Sequence, residues 1–429
     1  MKIKFINHAS VIFDCGDVKI LTDPWYSGSA FNNGWDLLAQ NDTDINDLDF
    51  NYLWYSHEHP DHFSIVDLKK ISDEKKKNIT ILFQHAPDQK VKKFCERLGF
   101  KVLELPENQN VFIGNVAVRC GKEGGFDSWI SVTHDGKTVL NINDCRLENA
   151  EELEPLKAIG HIDVLMTQFG WANWIGNSGD AGAKANARKM IYDKVDAQIQ
   201  CLQPDYILPF ASFCWFSHEE NATCNEDIIT IAEFVKKYEK EIDVITMYLN
   251  DEWTVGEKRN CQSSIDKWQS LYNIHKQPLH KSQAVSQDIL QESFTSMLSK
   301  LRSMNDWYGL MTLHQKENIE GCVIDLIDTE ERYIFDITTE CLEPTEMPYD
   351  ISMGSESFNY LMNHAWGRGT LMINGRFIAN YDTLYKFLRQ THVYYGNNID
   401  MFYPRDIKAQ SILSPKCFVF ETINTVKAL

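Results

Sequence analysis

The sequence predicts an α/β domain followed by a smaller α+β domain, and three observations carry that prediction. Short apolar runs bounded by Gly, Asp or Asn recur through about the first 250 residues. Segments with helical spacing lie between several of them, and the alternation stops near "MYLNDEWTVGE".

Taken in order, the strand-like runs are "VIFDCGDVKILTD", "DFNYLWYSHEH", "ITILFQH", "KVLELPE", "NVAVRC", "SWISVTHDGKTVLNIND", "IDVLMTQF", "YILPFAS" and "VITMYL". The helical segments are "SIVDLKKISDEKKK", "DQKVKKFCERLG", "ARKMIYDKVDAQIQCLQ" and "DIITIAEFVKKYEKE", so strands are expected with helices on both faces. "HDGK" at 134–137 reads as a hairpin turn, with His134 expected in solvent. The first domain is placed at 1–256 and a polar, weakly periodic linker at 257–285. Residues 286–429 form the second domain: a helix at about 286–304, strands around "GCVIDLID" and "RYIFDITTE", then helix, "GTLMINGRF" strand and helix.

Sixty-one acidic residues against 42 basic ones give a formal charge of −19, which repels nucleic acid and anionic membrane surfaces. No run approaches eighteen apolar residues, and Met1 opens directly into a strand-like pattern without a leader-type apolar core. A cytoplasmic protein is expected, with neither nucleic acid nor membrane as partner. The eleven cysteines are scattered and never spaced as CxxC, which suits buried thiols in a reducing compartment.

The chemistry is concentrated in "SHEHPDH" at 56–62. His57 and His59 alternate along a strand end and project to one side, while Asp61 and His62 lie in the turn that enters the helix "SIVDLKKI". Three histidines and an aspartate in one small volume have no cheap structural explanation, because a core histidine needs one hydrogen-bond partner rather than a cluster. A metal centre is expected.

"HASVIF", "LTDPW", "SHEHPDH", "NINDC" and "PFASFCWFSH" resemble, in order and rough spacing, the metallo-β-lactamase superfamily. The resemblance covers about residues 1–256 and implies an αββα sandwich with two metal ions at the strand ends. "DPWYSGSAFNNGWDLL" and "NINDC" are similar to the CMP-N-acetylneuraminate hydroxylase type. The Rieske domain of that type has no counterpart here, since no pair of CxH and CxxH motifs occurs, and an oxygenase would need an external electron donor.

Carried over by motif, Asp144 matches the bridging carboxylate and His218 the last ligand of the second metal. Hydrolases of this fold usually supply a His from the loop before the strand leading to that Asp, but "CGKEGGFDSW" contains none. Glu123 is the best placed substitute, with Asp127 as the competing candidate. The expected set is then His57, His59 and Glu123 on one metal, and Asp61, His62 and His218 on the other, with Asp144 between them. A Glu here resembles the di-iron β-hydroxylase of the chloramphenicol pathway. Three carboxylates make a hard, anionic site that favours iron, with zinc or manganese as the alternatives.

The expected activity is therefore di-iron oxygenation of a small molecule by dioxygen, with Asp61, Asp144 and His8 as the catalytic candidates. The alternative is hydrolysis of an ester, amide or phosphodiester. His8 and Asp23 flank the cavity as orienting groups. Trp171 and Trp174 in "QFGWANWIGNSGD", with Trp215 and Phe216, are expected as aromatic pocket walls, and His85 as a substrate contact or a helix-entry residue. The second domain weakly resembles sterol-carrier-like domains, which hold apolar ligands or dimerise, so a homo-oligomer stays open.

Overall fold

A computed structural model of the chain describes residues 1–124, 127–171, 173–226, 228–273 and 277–415. Two seven-stranded sheets form the first part. The strands of one run Glu252–Thr254, Lys2–Asn7, Ser10–Cys15, Val18–Thr22, Tyr52–Trp54, Thr80–Gln84 and Lys101–Leu105 across the sheet. Those of the other run Asp243–Val244, Tyr206–Phe210, Val164–Gln168, Lys137–Asn143, Asp127–His134, Val116–Glu123 and Asn110–Ile113.

The two-residue period of a strand explains the layering. Val164 and Met166 point into the core between the sheets, where Phe5, Val11, Trp54, Leu82, Ile130 and Phe210 meet them. Leu165 points the other way, onto the helical layer with Leu153, Leu156 and Leu202. On the first sheet Leu53 and Ile81 face outward to Leu68 and Cys95. The arrangement is helix, sheet, sheet, helix. No helix among the described residues is long and apolar enough to cross a membrane.

The hairpin at 134–137 is present, with His134 paired to Lys137 and both Asp135 and Gly136 at positive φ, as a two-residue turn requires. His134 is buried rather than solvated, because its ring folds onto Asn115, whose Nδ2 lies 3.1 Å from Nε2. The stretch expected as a linker contains the helix Gln262–Leu271. Its Trp268 is fully buried in the first core, stacked on Phe213 with centroids 4.2 Å apart. A single large anchor on an otherwise polar helix leaves little periodic signal, which is why the segment reads as a tether.

The second core is built on a five-stranded sheet, ordered Cys341–Pro344, Glu331–Asp336, Cys322–Leu326, Ile351–Met353 and Ile378–Ala379. The helices Gln287–Met304, Ser355–Asn363 and Leu384–Asn397 cover it. "GRGTLMIN" is a helix, Gly367–Asn374, instead of the expected strand; Gly375 at φ 66° ends it. Short apolar runs do not discriminate between the two states by pattern alone.

Candidate metal centre

Strand ends from both sheets converge at one edge of the sandwich. Lys2–Asn7 delivers His8, Val18–Thr22 delivers Asp23, Tyr52–Trp54 delivers Ser56 and His57, and Lys137–Asn143 delivers Asp144. Four non-glycine residues at this edge, His8, Asp23, Asn143 and Ala211, have positive φ. Left-handed backbone at such positions costs conformational energy and turns the chain sharply, so that side chains face one another. The backbone N–H groups of His62 and Phe63 both donate to His59 O, closing the turn that carries Asp61 inward before helix Ile65–Lys70.

His57, His59, Asp61, His62 and Asp144 are brought together. Ligating atoms of His57, His62 and Asp144 lie within 4.8 Å of one another, as do those of His57, His59 and Asp127, and those of His8, Asp61 and His62. His57 Nε2 stands 2.9 Å from His59 Nδ1 and 3.6 Å from Asp127 Oδ1. His62 Nε2 is 3.3 Å from carboxylate oxygens of both Asp61 and Asp144. Asp144 thus belongs with the His57 side and the His62 side at once.

One buried carboxylate orients two of these rings. Asp23 accepts from the backbone N–H of Ser56 at 2.8 Å, from its hydroxyl at 2.7 Å and from Asn143 Nδ2 at 2.7 Å. It also lies 3.0 Å from His62 Nδ1, which therefore donates to it and turns Nε2 toward Asp61 and Asp144. Because the Ser56 hydroxyl spends its proton on Asp23, it accepts from His57 Nδ1 at 2.9 Å. His57 Nε2 is left as a lone pair.

His8 has the opposite tautomer. The backbone N–H of Phe213 donates to His8 Nδ1 at 3.2 Å, so the ring proton sits on Nε2, 3.6 Å from Asp61 Oδ2. His8 faces the centre as a donor, while His57 faces it as an acceptor.

Electrostatics agree with a site built for cations. Burial lowers His57 and His59 to about 4, keeping both rings neutral. Burial raises the Asp127 carboxyl to about 6. Burial also opposes charge on Asp61 and His62, yet their mutual attraction outweighs it, holding Asp61 well below and His62 well above their usual values. Among the described residues, His8 Nε2, Asp61 Oδ1, His62 Nε2 and Asp144 Oδ1 are buried without a hydrogen-bond partner. Orphaned carboxylate oxygens on Asp61 and Asp144, on either side of a His62 Nε2 whose proton a cation would displace, fit a bound metal pair.

Two expected ligands are not brought in. Glu123 is directly opposite Asp127 in the ladder but one strand further from Asp144, about 4.8 Å. Its carboxylate accepts a long 3.5 Å hydrogen bond from the backbone N–H of Arg146, and Asp127 takes the place beside His57 and His59. Gly124 gives the bend its positive φ, while Gly125 lies outside the described residues. His218 is fully buried against the second domain: its N–H donates to Asn221 Oδ1, and its ring Nδ1 accepts from the Glu220 N–H at 3.2 Å. Burial, Arg376 and His280 lower it to about 3.

Trp171, Trp215 and Phe216 line one small apolar cavity with Trp35, Ser212 and Cys214. Trp174 is not a wall of it; the ring is buried and stacks on Phe377 of the second core at 5.0 Å. His85 is an exposed surface residue paired with Glu104 at 3.0 Å. Asp23 and His8 were expected as orienting groups; what sequence reasoning passed over is the part played by the Ser56 hydroxyl and the Phe213 N–H, since it depends on groups meeting across sheets.

Residues 2–211 match the model of the β-lactamase superfamily domain. Over 243 residues the chain is 25% identical to the cytidine monophosphate-N-acetylneuraminic acid hydroxylase of Danio rerio, covering 52% of this chain and 40% of the fish protein. It is 25% identical over 245 residues to a Mycolicibacterium smegmatis protein described as a Rieske 2Fe-2S iron-sulfur protein, covering 53% of this chain and 46% of that one. The chain therefore spans less than half the length of these relatives. Among solved structures, CmlA, a diiron β-hydroxylase from Streptomyces venezuelae, is similar with TM-score 0.42 and 15% identity, over 59% of this chain and 53% of that one.

Proposed function

Starting from residues 2–211 as a member of the β-lactamase superfamily, of the metallo-β-lactamase type, we propose that the protein is a di-iron oxygenase that hydroxylates a small molecule with dioxygen. The observation that carries this reading is the donor set: overlapping clusters of Asp61, Asp127 and Asp144 with His57, His59 and His62, in which His57, Asp61 and His62 are buried and the other three half-buried. Hard carboxylate oxygens favour iron and stabilise its oxidised state, whereas hydrolysis by zinc asks only for a Lewis acid and a hydroxide. His57, His59 and Asp127 would hold one ion, Asp61 and His62 the other, with Asp144 shared. When bound, iron supplies the redox chemistry that amino-acid side chains lack. Asp23 and Ser56 keep the Nε2 atoms of His57 and His62 inward, and His8 holds a proton at Nε2 beside Asp61. Electrons would come from an external donor; relatives named for hydroxylation and for a Rieske centre support that class of partner.

A zinc- or manganese-dependent hydrolase is the second reading, favoured by the proton on His8 Nε2, which is placed to serve a leaving group. The test is elemental analysis of protein purified without added metal, with its near-ultraviolet spectrum and its consumption of dioxygen under an added reductant. Two irons per chain, a ferric charge-transfer band and reductant-dependent oxygen uptake are expected. Tightly held zinc, no affinity for iron, and cleavage of an ester or phosphodiester without dioxygen would replace the first reading with the second.

A further inference from the structure

His57 and His62 are oriented by Ser56 and Asp23, but His59 has no such partner. Among the described residues its one side-chain hydrogen bond is to His57 Nε2. What lies against its ring instead is Phe31, edge-on with centroids 5.7 Å apart.

Phe31 sits in an unusual piece of backbone. Phe31, Asn32 and Asn33 have φ of 51°, 55° and 57°, three consecutive non-glycine residues in the left-handed region. Residues with a Cβ visit that region singly, at a cost each time, and an aromatic residue there needs outside support.

The support comes from the second domain. Asn374 Nδ2 donates to Phe31 O at 2.9 Å, and Arg376 Nη1 donates to Asn32 O at 2.5 Å. Gly34 ends the turn where the two chains touch, since a Cβ on it would stand 2.4 Å from Asn374 Cβ. Asn221 Nδ2 donates to both Gly34 O and Asn374 O, at 2.9 and 2.7 Å. Arg376 is fully buried and is itself fixed by Glu220 and Ser282, each at 2.9 Å. The turn closes locally through the Gly34 N–H on Phe31 O at 3.1 Å, and the Phe31, Asn32 and Gly34 carbonyls each meet a further donor from more than 180 residues away.

We propose that Asn374 and Arg376 are positioning residues of the metal centre: they hold the left-handed Phe31–Asn33 turn, whose Phe31 ring fixes His59 as a ligand. The inference rests on the dinuclear reading of the site. The second domain is then part of the centre's construction although it contributes no ligand, and its effect is confined to the ion that His59 holds.

The test uses the full chain loaded with cobalt(II), following the release of each ion to a chelator and the visible spectrum of the bound metal. Asn374→Asp keeps the side chain's size but cannot donate to Phe31 O; it should release one ion about tenfold faster and leave the other unchanged. Phe31→Ala should do the same, and adding Asn374→Asp to Phe31→Ala should bring no further acceleration, because both act through one ring. Arg376→Met paired with Glu220→Gln, which removes both buried charges together, should change the cobalt spectrum in the same direction. Lowered thermal stability with both ions released at the parent rate overturns the inference, as does simple additivity of Phe31→Ala and Asn374→Asp. Parent protein that holds fewer than two ions overturns the dinuclear reading and this inference with it; two ions released alike from parent and variants overturn the inference alone.

Discussion

Asp127 Oδ1 lies 3.6 Å from His57 Nε2, in the position for which Glu123 was the first candidate and Asp127 the competing one. The two carboxylates face each other across a ladder, and only the one on the inner strand reaches the histidines. Asp127→Ala should weaken one ion by more than about a hundredfold, while Glu123→Gln should leave both near parent affinity. Titration of each variant against a competing chelator separates them, and the reverse ranking would reinstate Glu123.

The composition of this half of the site was legible in the sequence and its register was not. "SHEHPDH" announces its ligands because His57, His59, Asp61 and His62 are neighbours in the chain. Choosing between Glu123 and Asp127 requires knowing which of two antiparallel strands lies nearer Asp144, a fact of sheet order that spacing does not encode. His218 stands apart from the cluster for a related reason: "FCWFSH" contains a strand paired with Trp35–Leu37, and His218 beyond it bridges to His280.

Asp23 offers a direct check on ring orientation. Asp23→Asn replaces an acceptor-only group with one whose amide cannot satisfy the Ser56 hydroxyl, Asn143 and His62 together. Affinity for metal should fall about 10–100-fold with no ligand removed. Isothermal titration with zinc measures it, and unchanged affinity would show that the rings are held by packing alone.

His8 should separate binding from turnover. Since its Nδ1 is occupied by the Phe213 N–H, His8→Gln is expected to keep two ions per chain while lowering the rate of the reaction about 10²–10⁴-fold, the range of a lost proton donor. Loss of one ion in this variant would make His8 a ligand after all.

Removing Trp268 tests where the first core ends. The ring is fully buried between Phe5, Phe213 and Tyr248. Trp268→Ala should cost about 3–5 kcal/mol in chemical unfolding, as for other buried aromatic truncations. A change under about 1 kcal/mol would return residues 257–285 to the status of a tether.

The contact between Asn374 and Phe31 joins positions 343 apart in the chain. During synthesis every residue of the proposed ligand set has left the ribosome once Asp144 has, yet the Phe31 and Asn32 carbonyls of the turn that backs His59 lack their side-chain donors until Asn374 and Arg376 follow. An emerging chain can collect its metal-binding groups long before it can close them. Premature, mismatched ions would then meet a loosely built half-site and exchange out, and tight retention would begin only when the polypeptide is nearly complete.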